Sequence, residues 1–333
     1  ANPSNYLYFN CSDYNNQTSS TCELWRIIGV FGNRVKIIRN DSIGEYVYDD
    51  YSDSINDWSR SEAMKLLNDG YEDENFGGSL YYNAASGSCY VGRNAEVAAC
   101  DFTSTGLKND QTRSLIDQVT WSLGGIDLTN IEIYSDQAYQ YERGDIVYPN
   151  SGNPTTWSGQ IAFIYPSDYG YAADFSSCSQ NLRNYIDSSC RYNNWLNNGA
   201  DQWLLTPNTT SSIFVNRVFY TGVVMRATSY DTYNIRPTLY LKSSSTVISG
   251  TGTSSDPYRL IRCFRLIHLL LFILLAYITY RANSILSFLK YYISTNGNVE
   301  VIAAKYLSTF LFISFLLVIV LSIIILLLMR YKK

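Results

Sequence analysis

The stretch Gln202–Pro237, QWLLTPNTTSSIFVNRVFYTGVVMRATSYDTYNIRP, breaks into short apolar runs separated by turn residues. QWLLTP and IFVNRVFYTGVVMRA have the length and the β-branched and aromatic content of strands, and the Asn-, Thr-, Ser- and Gly-bearing breaks mark turns. The same stretch is rich in groups that hold ligands. Trp203, Tyr220, Tyr230 and Tyr233 offer aromatic faces that stack on sugar rings or protein side chains at low entropy cost. Asn208, Asn216, Asp231 and Asn234 beside them offer hydrogen bonds. These eight are the candidate ligand-binding residues. Two carry a competing reading: Trp203 within QWLL suits a core position, and Tyr220-Thr221-Gly222 suits a hairpin turn.

Upstream, WRIIGVFGNRVKIIR (Trp25–Arg39) places two apolar runs around Gly32-Asn33 and predicts a β-hairpin. SRSEAMKLLNDG predicts a short helix, capped by Ser59 with Glu62 three residues on and stopped by Gly70. A second helix is expected over Asp110–Leu123, where Leu115, Ile116, Val119 and Leu123 recur at helical spacing before Gly124-Gly125. GQIAFIYP and RPTLYLK add further short strands, and no internal repeat is apparent. The pattern is α+β: two short helices with many short antiparallel strands.

Charge divides the chain in two. Residues 1–260 hold 17 Lys plus Arg against 28 Asp plus Glu, whereas residues 261–333 hold 8 against 1. The first part reads as one globular domain whose negative charge argues against a nucleic-acid partner. The second reads as a membrane tail, with the lipid bilayer as its partner. Residues 306–329 are uncharged and mostly aliphatic, ~36 Å of helix against a ~30 Å hydrocarbon core. Residues 266–280 give a shorter segment of ~22 Å, either a second span or an interfacial helix. Flanking charge leaves both a hairpin and a single span open, and a tail joined from a neighbouring reading frame is a third alternative.

Cysteine usage points to the compartment. Cys11 and Cys22, Cys89 and Cys100, and Cys178 and Cys190 form three close pairs inside polar loops, while Cys263 stands alone. Local pairing gives three disulfides, although six cysteines allow 15 connectivities. Such bonds imply an oxidising, external location. The chain opens at Ala1 without a methionine or export signal, so a segment removed ahead of it is expected. The localisation read here is the cell membrane, with the large domain extracellular.

The ordered set WRIIGVF, RNDSIGEY, WSRSEAMKLLNDGY, GSLYYNAASGSC, TTWSGQIAFIYPSDYGYA, NNWL, QWLLTPN and RPTLYLKSSSTVISGTGTSSDPYRL covers nearly all of residues 5–260. It resembles a family of bacterial surface proteins of unknown function. Those proteins usually carry a prepilin-like or other anchoring helix before this domain and end near the equivalent of PYRL. The helix is absent here and the tail is an addition. The closing pattern from Trp203 to Leu241 is more distantly similar to the fold shared by C-type lectins and formylglycine-generating enzymes. That resemblance implies ligand contacts from the loops around the final strands.

Catalysis finds little support. The one histidine, His268, lies in the tail, which removes Ser-His-Asp and Cys-His chemistry from the large domain. No phosphate-binding glycine motif occurs, and no C-x-x-C motif suggests a zinc site. DDYSDSIND (Asp49–Asp57) is acidic but fits no calcium loop. No cofactor and no metal are expected. Three readings follow, in order. The first is a membrane-anchored surface binding or adhesion protein for a glycan or a host or neighbour surface protein. The second is a structural or pilus-associated surface subunit. The third is an oxidase resembling the formylglycine generators, which requires a free thiol pair.

Overall fold

The computed structural model describes residues 2–50, 52, 55–128, 132–145, 147, 148, 150, 152–262, 277, 278, 280, 281, 284 and 287. Residues 1–262 form one compact unit. Its frame is two five-stranded sheets. In the first, Tyr6–Phe9, Glu23–Phe31, Arg34–Arg39, Thr238–Leu241 and Ile161–Ala162 lie side by side in that order, all antiparallel. In the second the order is Val224–Thr228, Phe214–Val218, Gln202–Pro207, Thr232–Asn234 and Glu45–Val47. This sheet is mixed, because Gln202 pairs with Asn234 in parallel. Two-stranded ribbons complete the sheet structure: Ser86–Gly92 with Glu96–Asp101, Val119–Ser122 with Thr156–Gly159, and Ser245–Ser249 with Arg259–Arg262.

The hairpin expected at Gly32-Asn33 is present, with Phe31 opposite Arg34 and Gly32 at φ +62, a left-handed turn conformation suited to glycine. A bulge between Ile27 and Gly29 interrupts its register. The first helix begins later than expected, at Glu62–Leu67, and Ser61 rather than Ser59 caps it by accepting from the Met64 N–H at 3.3 Å. Asp57 caps the preceding 3₁₀ turn, Trp58–Arg60, by accepting from the Ser59 N–H at 2.9 Å.

The second predicted helix is corrected. Only Asp110–Leu115 is helical, and Val119–Ser122 is a strand. Its periodic apolar residues serve the ribbon instead: the chain turns extended at Ile116, the Asp117 N–H bonds to Tyr240 O at 2.8 Å, and Trp121 faces Trp157 across the pair. Tertiary pairing overrides the helical spacing, as the β-branched and aromatic content of Val119-Thr120-Trp121 favours.

The fold class is corrected in three respects. Three further helices, Ser135–Arg143, Pro166–Tyr171 and Ser188–Arg191, join the expected pair, and one sheet is mixed rather than antiparallel. The helical transmembrane tail is overturned as a feature of the fold: among the described residues no helix is long and apolar enough to cross a membrane. Ser135–Arg143, at 9 residues, reaches only ~14 Å against the ~30 Å required. Segments 266–280 and 306–329 lie outside the described residues, apart from Tyr277, Ile278 and Tyr280.

Two packed clusters form the core. One gathers Trp25, Tyr48, Trp58, Trp121, Phe163 and Trp203, and the other gathers Ile38, Ile164, Tyr169, Leu182, Tyr185 and Leu204. The three disulfides join Cys11 to Cys22, Cys89 to Cys100 and Cys178 to Cys190, the local pairing read from spacing.

Candidate functional site

The eight residues proposed from the sequence do not converge on one open surface. Trp203 is fully buried, its Nε1 donates to Tyr46 O at 2.9 Å, and its ring meets Tyr233 edge-on at 4.8 Å. Asn208 and Asn216 are also fully buried. Asn216 Nδ2 donates to the carbonyls of Thr206 and Pro207 at 3.1 and 3.3 Å, while the Asn208 amide donates to Asn216 Oδ1 at 3.3 Å. These side chains hold the bulged strand Gln202–Pro207 in place.

The remaining five are organised by residues that sequence reasoning passed over. Asp201 accepts from the Tyr220 N–H at 2.6 Å and pairs with Arg217 at 2.7 Å. Its carbonyl accepts from Asn234 Nδ2 at 2.9 Å. The Arg217 guanidinium lies 4.2 Å from the Tyr233 ring centre. Tyr230 and Asp231 sit with Arg93, which donates to Asp231 Oδ1 at 2.7 Å and lies 5.5 Å from the Tyr230 ring. Of the eight, Tyr220 is the exposed aromatic.

An open aromatic cleft lies elsewhere. Tyr134, Tyr171 and Phe175, each roughly half exposed, line a cleft of about 170 Å³ with Ser135, Asp136 and Gln180. Cys178 forms part of its wall, so the Cys178–Cys190 bond braces it. Tyr171 and Phe175 meet edge-on at 5.9 Å. Tyr171 ends helix Pro166–Tyr171 and Tyr134 sits just ahead of helix Ser135–Arg143, and Gly170 lets the two helices approach. A Cβ there would sit 2.2 Å from Ser135 Oγ and 2.9 Å from Leu182 Cδ2. The sequence signal for this cleft was SDYGYAADFSSC, aromatics clustered before a cysteine.

The same two helices build a second feature, a buried cluster of charge. Pro166 starts its helix with the fixed φ that suits a first turn, and Asp168 Oδ2 accepts from the Tyr165 N–H at 3.0 Å. Lys36, on the central strand Arg34–Arg39, places Nζ 2.5 Å from that Oδ2; Arg143 places Nη2 2.6 Å from Oδ1. Arg143 also donates to Ser167 Oγ at 2.9 Å, and Ser167 bonds to Glu142 through both its N–H and its hydroxyl. Lys36, Glu142 and Asp168 are inaccessible to solvent or nearly so.

Aromatic rings surround the Lys36 ammonium, with centres at 4.4 Å for Tyr165, 5.2 Å for Trp121, 5.6 Å for Tyr240 and 5.8 Å for Phe31. Burial pushes the Lys36 amine down to about 8, against the pull of Asp168. Burial likewise pushes the Glu142 carboxyl up to about 8, despite Arg143. Burial acts on Asp168 too, but Arg143 and Lys36 outweigh it and hold that carboxyl at about 2.

Among the described residues, no group of three or more His, Cys, Asp or Glu side chains could hold a metal. In the acidic stretch, Asp49 accepts from the Ile55 N–H at 3.0 Å and from the Glu62 N–H at 3.3 Å, shaping a turn. Six of the seven cysteines are bonded in pairs, which leaves no free thiol pair among them. Comparison of the chain with family models, curated proteins and solved structures finds no match.

Proposed function

We propose that residues 1–262 form an exported carbohydrate-binding domain acting at a bacterial cell surface. The observation that carries this reading is the cleft of Tyr134, Tyr171 and Phe175, three exposed rings beside Asp136 and Gln180 and braced by a disulfide. Its volume lies below the ~300–1,000 Å³ of pockets for drug-sized ligands, so it suits one sugar residue rather than a long chain. Rings stack on the apolar face of a pyranose, and the carboxylate and amide groups accept and donate to its hydroxyls. The three disulfides fit an oxidising compartment.

Glycan-array binding of the full chain with its disulfides intact tests the proposal. Selective binding that is lost in both Tyr171→Ala and Phe175→Ala supports it. An array without a hit from folded protein, or binding untouched by either change, removes it.

A second reading has its own observation. Tyr192 and Tyr220 are exposed by half or more, and Arg191 lies 5.5 Å from the Tyr192 ring centre and reaches Tyr220 O at 3.4 Å, so the two rings flank one exposed aromatic patch. Such a patch suits a structural surface subunit that packs on another protein. Concentration-dependent association in sedimentation, abolished by Tyr192→Asp, would favour that role.

A further inference from the structure

We propose that Lys36 and Asp168 are joined by an amide bond that the chain forms by itself. The geometry is that of a poised condensation. Nζ lies 2.5 Å from Oδ2, one bond short of the carboxyl carbon. Both side chains are sealed from solvent, at 0% and 1% exposure, so the water that would reverse the bond is kept out. Burial weakens the hold of the Lys36 amine on its proton, and the short contact to Oδ2 gives that proton a path to the carboxylate as the nitrogen turns to attack.

Arg143 supplies the remaining requirement, a fixed positive charge 2.6 Å from Oδ1. Oδ1 is where negative charge gathers as the carbon becomes tetrahedral, and a cation placed in advance at that oxygen is the kind of group that lowers such a barrier.

The step balances without a co-reactant. The ammonium gives one proton to Oδ2, the amine attacks Cγ, and the new C–N bond forms while charge builds on Oδ1 beside Arg143. The C–Oδ2 bond then breaks, Oδ2 leaves as water with a second proton from the nitrogen, and an amide remains. Lys36 loses its positive charge and Asp168 its negative charge in the same step. Removing two buried charges together also removes their desolvation cost. The product ties the central strand Arg34–Arg39 to the helix Pro166–Tyr171 across a sequence separation of 132 residues. It would stiffen both the first sheet and the helix that carries Tyr171.

Intact mass of the full chain, reduced and denatured, tests the proposal directly. The expected value is the sequence mass less one water molecule, with a branched tryptic peptide joining the segments around Lys36 and Asp168 and no cleavage after Lys36. Lys36→Arg and Asp168→Ala should each restore the full mass, and Asp168→Asn should lose ammonia in place of water if it reacts. The full sequence mass together with two separate peptides from the unaltered chain overturns the proposal. That outcome is independent of how any variant folds, and would leave Lys36 and Asp168 as a permanent buried ion pair.

Discussion

Asn68 and Ile161 exchange two hydrogen bonds as if they were paired strand residues. Asn68 Nδ2 donates to Ile161 O at 2.9 Å, and the Ile161 N–H donates to Asn68 Oδ1 at 3.0 Å. The same amide also donates to Met64 O at 2.9 Å and accepts from the Gln160 N–H at 3.3 Å. One buried side chain therefore closes the end of helix Glu62–Leu67 and completes the edge of the first sheet. Asn68→Ala strands buried backbone groups of Ile161, each costing ~1–3 kcal/mol. The denaturant midpoint should fall with no change in slope. Asn68→Asp should be at least as damaging, because it replaces the donor facing two carbonyls with an acceptor.

Glu142 and Asp49 set the pH dependence of stability. Burial raises both carboxyls in the folded chain, Glu142 to about 8 and Asp49 to about 7, above their ordinary values near 4. Between those limits the folded state binds more protons than the unfolded one, so stability falls as pH rises from about 4.5 to 8. Each group contributes on the order of 1 kcal/mol per pH unit. In a chain whose Lys36 and Asp168 are not joined, Asp168 has the opposite sign: its carboxyl is held at about 2, so its contribution is present above pH 4 and is lost only in stronger acid. Thermal midpoints at pH 5 and pH 8 should therefore differ, with pH 8 the lower. Glu142→Gln should flatten that difference; an unchanged slope would mean that Glu142 does not hold its proton.

The Cys178–Cys190 bond closes a separation of 12 residues and forms part of the cleft wall. Replacing both cysteines by serine should cost ~3 kcal/mol in the chain-entropy account, a fall of roughly 6–12 °C in Tm for a domain of this size. Calorimetry of this variant beside the unaltered chain checks it. Reducing agent should lower the Tm of the unaltered chain by more than that, since it also opens Cys11–Cys22 and Cys89–Cys100.

Local chemistry made much of this fold legible from sequence. Glycine at position 32 marked the hairpin, the close cysteine spacings marked their partners, and short apolar runs marked the strands. Long-range placement was not legible. Val119 and Trp121 fit a helix by spacing until Thr156–Gly159 offers them a ribbon partner. Trp203 fits a ligand platform until Tyr46, Tyr48 and Tyr233 close over it. Lys36, Glu142 and Asp168 lie in three separate segments, and nothing short of the fold brings them together.

Tyr171, Phe175 and Trp203 separate binding from folding. Trp203 is fully buried, so Trp203→Ala removes a core ring and should cost ~3–5 kcal/mol. Any loss of binding in that variant would follow from loss of structure. Tyr171 and Phe175 are about half exposed and meet edge-on in the cleft, so alanine there should cost about 1 kcal/mol or less. If the cleft holds the ligand, Phe175→Ala loses affinity with a Tm fall of no more than about 4 °C, whereas Tyr220→Ala, on the separate exposed patch, keeps the affinity. Titration of a bound glycan against the three variants, each with its melting curve, checks this. Equal loss in Tyr220→Ala and Phe175→Ala would move the site out of the cleft and onto the patch around Tyr192.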